Sequence, residues 1–356
     1  MITMLDVISR EKEKMNLIID SRKEIYNDVL KVVDDIDEIV FIGSGSSYSS
    51  VLSTMLIVEK LSGVKTSVML PNLFINKEVF NKKALYVLVS QTGTSSLMNK
   101  LAIILKEKGI KTVALSSDAE SPLVKNTDTF IELRIGYEEY TYATLGFTCS
   151  MLEEILLGLE IGLKTNYLTQ KQYDEYIEEL RKTPDSNSET INKTMKWFID
   201  NKNKLVNYEN FILYGGSTLY GVATEGALKI MEITKKYVSV GYEMDDGMHG
   251  PNYCLDERTA VIALNDGKDN KNAIDLMNLM KKEYKAGYMI GVNPMDETDL
   301  VLDLQTNNFT NLEMISFVQT LAYLLAVEIK VDIFEKKDPR INTTKGKGYF
   351  NMHGSI

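Results

Sequence analysis

Short apolar runs that stop at glycine- or serine-rich turns, each followed by a stretch of helical spacing, leave few folds open to this chain. "EIVFIGSG" (38–45), "ALYVLVSQ" (84–91) and "KTVALSS" (111–117) are continuous Val/Ile/Leu runs without polar alternation, as in buried strands of a parallel sheet. Residues 46–61 and 95–108 between them carry apolar positions at helical spacing, the second stretch stopping at Gly109. This βαβ alternation predicts a doubly wound sheet. The pattern recurs in "FILYGGSTLYG" (211–221), "TAVIALNDG" (259–267) and "AGYMIGVNP" (286–294). Gly43 to Tyr48 has the spacing of Gly215 to Tyr220, and Gly43 to Gly93 spans 50 positions against 52 for Gly215 to Gly267. A repeat of this length is a duplicated domain rather than a solenoid. The expected architecture is α/β, two tandem doubly wound parallel-sheet domains. An N-terminal helical segment (1–35) precedes domain one (36–165). A helical linker (166–208) containing the breaker "TPDSNS" leads to domain two (209–335) and a C-terminal tail (336–356).

At 356 residues the chain can bury two cores. Its 44% hydrophobic and 25% charged residues are ordinary for a soluble globular protein. It has no run of eighteen apolar residues, so no membrane-spanning helix is expected. The opening "MITMLDVISREKEKMN" lacks the apolar core of a signal peptide. Cys149 and Cys254 are too few and too far apart for a disulfide framework or a metal cluster. A cytoplasmic location and no metal are expected. The net charge of −10 argues against nucleic acid or an anionic membrane as partner. A small anion remains open, because amides at a helix start hold phosphate without a basic surface.

Two loops in the first unit fit such an anion. "GSGSSY" is neither a dinucleotide fingerprint, since Tyr48 replaces the third glycine, nor a P-loop, since no Lys-Ser/Thr pair follows. It leaves a glycine turn and a helix start lined by Ser46, Ser47 and Ser49. "SQTGTSS" offers Ser90, Gln91, Thr92 and Ser95. Ordinary helix capping explains one such loop. Two at neighbouring strand ends favour a phosphate monoester, since ligands of open α/β sheets bind at the carboxyl ends of the strands. The second unit has "GGSTLYG" and "LNDG" in the same places, where Asp266 would repel an anion.

In the second unit "VATEGALKIMEITKK" spaces Glu225, Lys229 and Glu232 at i, i+4 and i+7, so the three share one helix face. Spacing alone fits a solvated face with a Glu–Lys pair. The helix starts at a strand end, however, and a carboxylate held there could move a proton between adjacent carbons. Just downstream, "MDDGMHGPNY" places His249, one of two histidines, in a loop of acids, glycines and a proline. An exposed loop histidine without a role is the plain reading, although histidine is the side chain most easily poised for proton transfer.

"TEGALKIMEIT" followed by "MDDGMHGP", with "GSGSSY" and "SQTGTSS" upstream, resembles the double sugar-isomerase (SIS) domain family. The resemblance runs from "TMLDVI" to "QTLAYLLAVEIKVDIFEKKDPR" and implies flavodoxin-like domains. Within the family the chain looks closer to fructosamine- or fructoselysine-type 6-phosphate deglycases and amino-sugar-phosphate deaminases than to the isomerase half of glucosamine–fructose-6-phosphate aminotransferase. The resemblance implies that Ser46, Ser47, Ser90, Gln91, Thr92 and Ser95 grip the sugar phosphate. It implies that Glu232 shuttles a proton between C1 and C2 and that Lys229 contacts the reacting end. It also implies that His249 assists ring opening, reaching in from the neighbouring subunit of a homodimer. Glu225 is a further candidate. The family's tail lysine matches Lys345 only loosely, with one extra residue before it and Lys347 close by.

Because the chain starts Met1-Ile2 without a glutamine-hydrolysing domain, glutamine-derived ammonia is not expected. No cofactor is called for. The expected enzyme performs an aldose–ketose rearrangement on a 6-phosphorylated amino sugar or fructosamine and releases an amine. "GYEEYTYATLGFT" (136–148) is expected to border the substrate, with Glu138, Glu139 and Tyr142 either recognising an amine or simply starting a helix. The alternative is a non-catalytic phosphosugar sensor on the same fold, which would not need Glu232 and His249 together.

Overall fold

The computed structural model describes residues 2–268 and 270–334. The first sheet contains β1 (Glu38–Ile42), β2 (Lys65–Met69), β3 (Ala84–Val89), β4 (Thr112–Ser116) and β5 (Thr129–Glu132). Its order is β2-β1-β3-β4-β5, and every pairing is parallel. The three central strands are the apolar runs read from the sequence, and β3 is buried along its whole length. The edge strands β2 and β5 are half-buried and carry no continuous apolar run, so the sequence pattern does not reveal them.

The main helices are α1 (Glu11–Ile25), α2 (Ser46–Ser62), α3 (Ser96–Glu107), α4 (Leu145–Lys164), α5 (Thr183–Leu205), α6 (Leu219–Thr234), α7 (Asn270–Leu279) and α8 (Thr310–Glu328). On α4, Glu154 and Gly158 lie one turn apart and both face α2. A Cβ on Gly158 would come 3.0 Å from the Val58 backbone, so glycine permits the close approach. Ser50 and Thr54 of α2 donate hydroxyls to the Glu154 carboxylate at 2.7 and 2.5 Å.

Burial pushes the Glu154 carboxyl up to about 8, against the opposing effect of those hydroxyls. Glu11 and Glu153, also fully buried, are raised to about 8 for the same reason. Each keeps its proton in the folded chain at pH values where the unfolded chain has lost it. The stability of the neutral forms is therefore complete below pH 4.5, the ordinary value, and is lost as pH rises through 8. Thermal unfolding should occur at progressively lower temperature from pH 5 to 9. Glu154→Gln should remove its share of that slope, on the order of 3–5 kcal/mol. An unchanged slope in the variant would assign the titration to other groups.

The second sheet contains β6 (Asn210–Gly215), β7 (Val238–Glu243), β8 (Thr259–Asn265), β9 (Gly287–Gly291) and β10 (Leu300–Val301). From the β7 edge its order is β7-β6-β8-β9-β10, again with parallel pairing throughout. Counted within each sheet, both follow the order 2-1-3-4-5 of a flavodoxin-like fold.

The chain forms two compact units that do not coincide with a simple halving. Lys14–Tyr137 and Cys149–Glu175 cluster around the first sheet; Glu138–Thr148, Tyr176–Ile333 and the N-terminal stretch up to Glu13 cluster around the second. The segment expected as a helical linker is helical, but from Tyr176 onward it belongs to the second unit. There α5 packs on α8, and Trp197 stacks edge-on against Tyr288 and Phe317. "TPDSNS" does not interrupt a helix but opens α5. Pro184 sits in the first turn, where no amide is needed, and Asp185 favours the positive helix end. Residues 138–148, expected in domain one, are held in the second unit by Gln319, whose amide donates to the Thr144 carbonyl and the Thr148 hydroxyl, each at 3.1 Å.

Although it contains no run of eighteen apolar residues, α8 is long and apolar enough on average to cross a membrane. Its most apolar window is 83% buried, and Asn311, Glu313, Ser316, Gln319 and Thr320 are buried along it. It is the core helix of its unit, packed on α5 and α6.

Candidate functional site

The two hydroxyl-rich loops leave the C-terminal ends of β1 and β3, which are paired neighbours. Gly45, at φ +56°, turns the chain into α2, and a Cβ on Gly43 would come 2.7 Å from the Ser47 carbonyl oxygen. Ser46 and Ser47 are partly exposed on the first turn. In the second loop Gly93 has φ +62°, and its Cβ would fall 2.2 Å from the Ser121 hydroxyl. Ser90 is nearly buried, Gln91 and Ser95 are partly exposed, and Thr92 is exposed with its hydroxyl 2.8 Å from that of Thr94. The Gln91 carbonyl accepts from the Ser116 and Ser117 hydroxyls at 3.1 and 2.8 Å, fastening the loop to β4. Neither α2 nor α3 is capped by a side chain. Without such a cap, both helix starts retain their attraction for an anion.

The acid–lysine–acid face of α6 is not a solvated one. Glu225 is fully buried and Lys229 is 1% exposed, whereas the Glu232 side chain is 29% exposed. The Lys229 ammonium lies 3.0 Å from Glu225 and donates to Glu232 Oε1 at 2.5 Å. Burial works against the ammonium, but the two carboxylates outweigh it and hold its pKa above the ordinary lysine value. Gly226 lets α6 approach this closely, since a Cβ there would meet Leu213 of β6 and Val318 of α8 at 2.7–2.8 Å. The result is a carboxylate at the surface, aimed by a buried cation that is balanced from behind by a second acid.

His249 follows a short 3₁₀ turn (Asp246–Met248). Its side chain is 74% exposed, with Nε2 3.8 Å from the Asp245 carboxylate. Asp266, expected to repel anions, is instead ion-paired to Lys268 at 2.5 Å and accepts from the Thr310 hydroxyl at 2.7 Å. Burial opposes its charge, but these bonds win and hold the carboxyl below its ordinary range. Lys268 thus offsets much of the expected repulsion.

Within 136–148 the plain helix-start reading fits Glu138, whose carboxylate accepts the amides of Thr144, Leu145 and Gly146 at 2.8–3.3 Å. Glu139 pairs with Arg10. Tyr142 is different. Burial raises its phenol pKa, Glu232 raises it further, and Lys229 lowers it, so the ring shares the field of the α6 cluster. Its hydroxyl reaches the Ile333 carbonyl at 3.4 Å, and Lys235, at the end of α6, donates to the carbonyls of Asp332 and Ile333 at 2.5 and 3.3 Å. Lys345, Lys347 and His353 lie outside the described residues. Among the described residues no group of three His, Cys, Asp or Glu side chains is arranged to hold a metal ion.

Residues 34–156 match the family model of the SIS domain. Over 324 residues, 88% of this chain, the sequence is 25% identical to glutamine–fructose-6-phosphate aminotransferase of Campylobacter jejuni, covering 52% of that protein. The corresponding enzyme of Gloeobacter violaceus is 26% identical over 265 residues, covering 74% of this chain and 43% of the relative. The chain thus spans about half the length of the curated relatives it matches. The C-terminal domain of glucosamine-fructose-6-phosphate aminotransferase from Francisella tularensis superposes with a TM-score of 0.84 at 21% identity, covering 93% of this chain and 96% of that one. Residues 34–156 thus match a SIS domain, and the second sheet repeats the strand order of the first, so the chain has the fold of two tandem domains of this kind.

Proposed function

We propose that this protein is a phosphosugar isomerase-type enzyme that acts on a 6-phosphorylated fructosamine or amino sugar and releases an amine. The observation that carries the reading is the α6 cluster, in which Lys229 is sealed between two acids and only Glu232 reaches the surface. That is the arrangement a proton shuttle needs, with a solvent-reachable carboxylate held in a fixed direction. Ser46, Ser47, Ser90, Gln91, Thr92 and Ser95 hold the phosphate, and His249 assists ring opening. The exposure of His249 suits contribution from a second copy in a homodimer. Lys229 aims Glu232, Glu225 balances Lys229, and Lys345 is a further candidate from the tail.

On a fructosamine 6-phosphate, Glu232 removes a proton from C1 and returns one to C2, while the amine nitrogen gives up its proton and the C2 oxygen gains one, converting the C2 ketone into an alcohol and the C1–N bond into an imine. Water then adds to the imine carbon, and the C–N bond breaks to give an aldose 6-phosphate and a free amine. The deciding experiment incubates the protein with a panel of 6-phosphorylated fructosamines and amino sugars and measures amine release and aldose–ketose interconversion. Turnover of a panel member supports the enzyme. Binding without conversion of any member would leave a phosphosugar sensor.

Gly93→Ala tests the phosphate cradle separately. A side chain at φ +62° that also meets Ser121 must push the loop out of place, with strain of about 1–3 kcal/mol. The expected result is at least about tenfold weaker protection by inorganic phosphate in a thermal-shift titration, which follows from about 1.4 kcal/mol of lost binding. Undiminished protection would remove the second loop from the site.

A further inference from the structure

We propose that Glu243 is a positioning residue, a brace that ties the His249 loop to the turn opening α6; its catalytic meaning rests on the function proposed above. The two units differ at one equivalent place. In the second sheet Gly215 of β6 is paired with Glu243, the last residue of β7. In the first sheet Ile42 is paired with Met69, so the residue beside Gly43, the counterpart of Gly215, is Leu70. The first unit thus sets an apolar side chain beside its serine turn, and the second sets a carboxylate beside the matching turn.

That carboxylate is already engaged. Its Oε1 accepts the Ser217 amide at 3.3 Å, from a turn residue held at φ +52°. Its Oε2 accepts the amides of Asp245 and Asp246 at 2.7 and 3.2 Å. One oxygen holds the turn from which α6 starts, and the other holds the first residues of the loop that carries His249. Gly247 completes the seat, because a Cβ there would fall 2.2 Å from the Tyr214 ring and 2.9 Å from Tyr242, so the loop rests directly on β6 and β7. Asp245, held by Glu243, is the residue whose carboxylate lies 3.8 Å from His249 Nε2. In the second unit the anion at this strand-end turn is therefore supplied by the chain itself, and it fixes the loop to the start of the helix that bears Glu232.

Two readouts on the full chain test the brace. In Glu243→Ala, hydrogen exchange at the Asp245 and Asp246 amides should accelerate by about tenfold or more, while amides of the first sheet stay unchanged. In the turnover assay kcat should fall by about tenfold or more, with KM within about twofold, because the loss is one of geometry. Glu243→Gln, which keeps one carbonyl acceptor, should recover part of the rate. The double variant Glu243→Ala/His249→Ala should be no slower than His249→Ala alone. Unchanged exchange at Asp245 and Asp246 would overturn the brace, and losses that multiply in the double variant would overturn its coupling to His249. If the wild-type chain converts no substrate, the proposed function fails, while the exchange result still decides the brace.

Discussion

Glutamine in place of Glu232 is expected to lower turnover by about 10²–10⁴-fold, the usual contribution of a positioned general base. The substitution keeps the shape of the side chain and one oxygen to accept from the Lys229 ammonium, now 2.5 Å from Glu232 Oε1. What it removes is the ability to take a proton. Ser46, Ser47 and the second hydroxyl-rich loop belong to the other compact unit, so phosphate-dependent binding should stay within a few-fold of wild type. The two measurements are steady-state turnover on the best panel substrate and an equilibrium titration with the same phosphosugar. A variant that turns over at a near-normal rate would remove Glu232 as the shuttle. One that loses binding in step with turnover would make Glu232 a binding residue instead.

The sequence makes the central strands legible because they are buried on both faces. β1, β3, β4, β6, β8 and β9 each show an unbroken apolar run, and the spacing of the glycine turns reveals the duplication. The edge strands lack that signal, since half-buried residues need no apolar run. The unit boundary is hidden for another reason. Residues 138–148 join the second unit through bonds to Gln319, some 170 positions away, and no local pattern encodes such a pairing. Spacing placed Glu225, Lys229 and Glu232 on one face of α6 but could not say that the face is buried. That depends on Gly226 and on the approach of β6 and α8. Glu243 carries no sequence signal, because its role comes from a register across two strands and from backbone amides, which every residue but proline possesses. The serine loops were legible as candidates. That their helices carry no side-chain cap is visible only in three dimensions.

Removing Lys229 alone should cost far more stability than removing it together with its buried partner. Lys229→Ala leaves Glu225, which is fully buried, without the ammonium 3.0 Å away. An uncompensated buried charge of this kind costs about 3–5 kcal/mol. For a chain of 356 residues that corresponds to a fall of roughly 4–7 °C in Tm. Glu225 can escape part of the penalty by taking up a proton, so the loss should shrink as pH falls. Lys229→Met with Glu225→Leu replaces the pair by apolar groups of similar volume, and such exchanges are often neutral or stabilising. The double variant should therefore unfold near the wild-type temperature. It should still be slow, because Glu232 has lost the donor that aims it. Thermal unfolding of the three chains between pH 5 and 8, read beside their turnover, separates the two roles. If the single and double variants are equally unstable, the Glu225–Lys229 pair is not what holds this face of α6. If the double variant is both stable and fast, Glu232 needs no aiming, and the buried lysine is there for the fold alone.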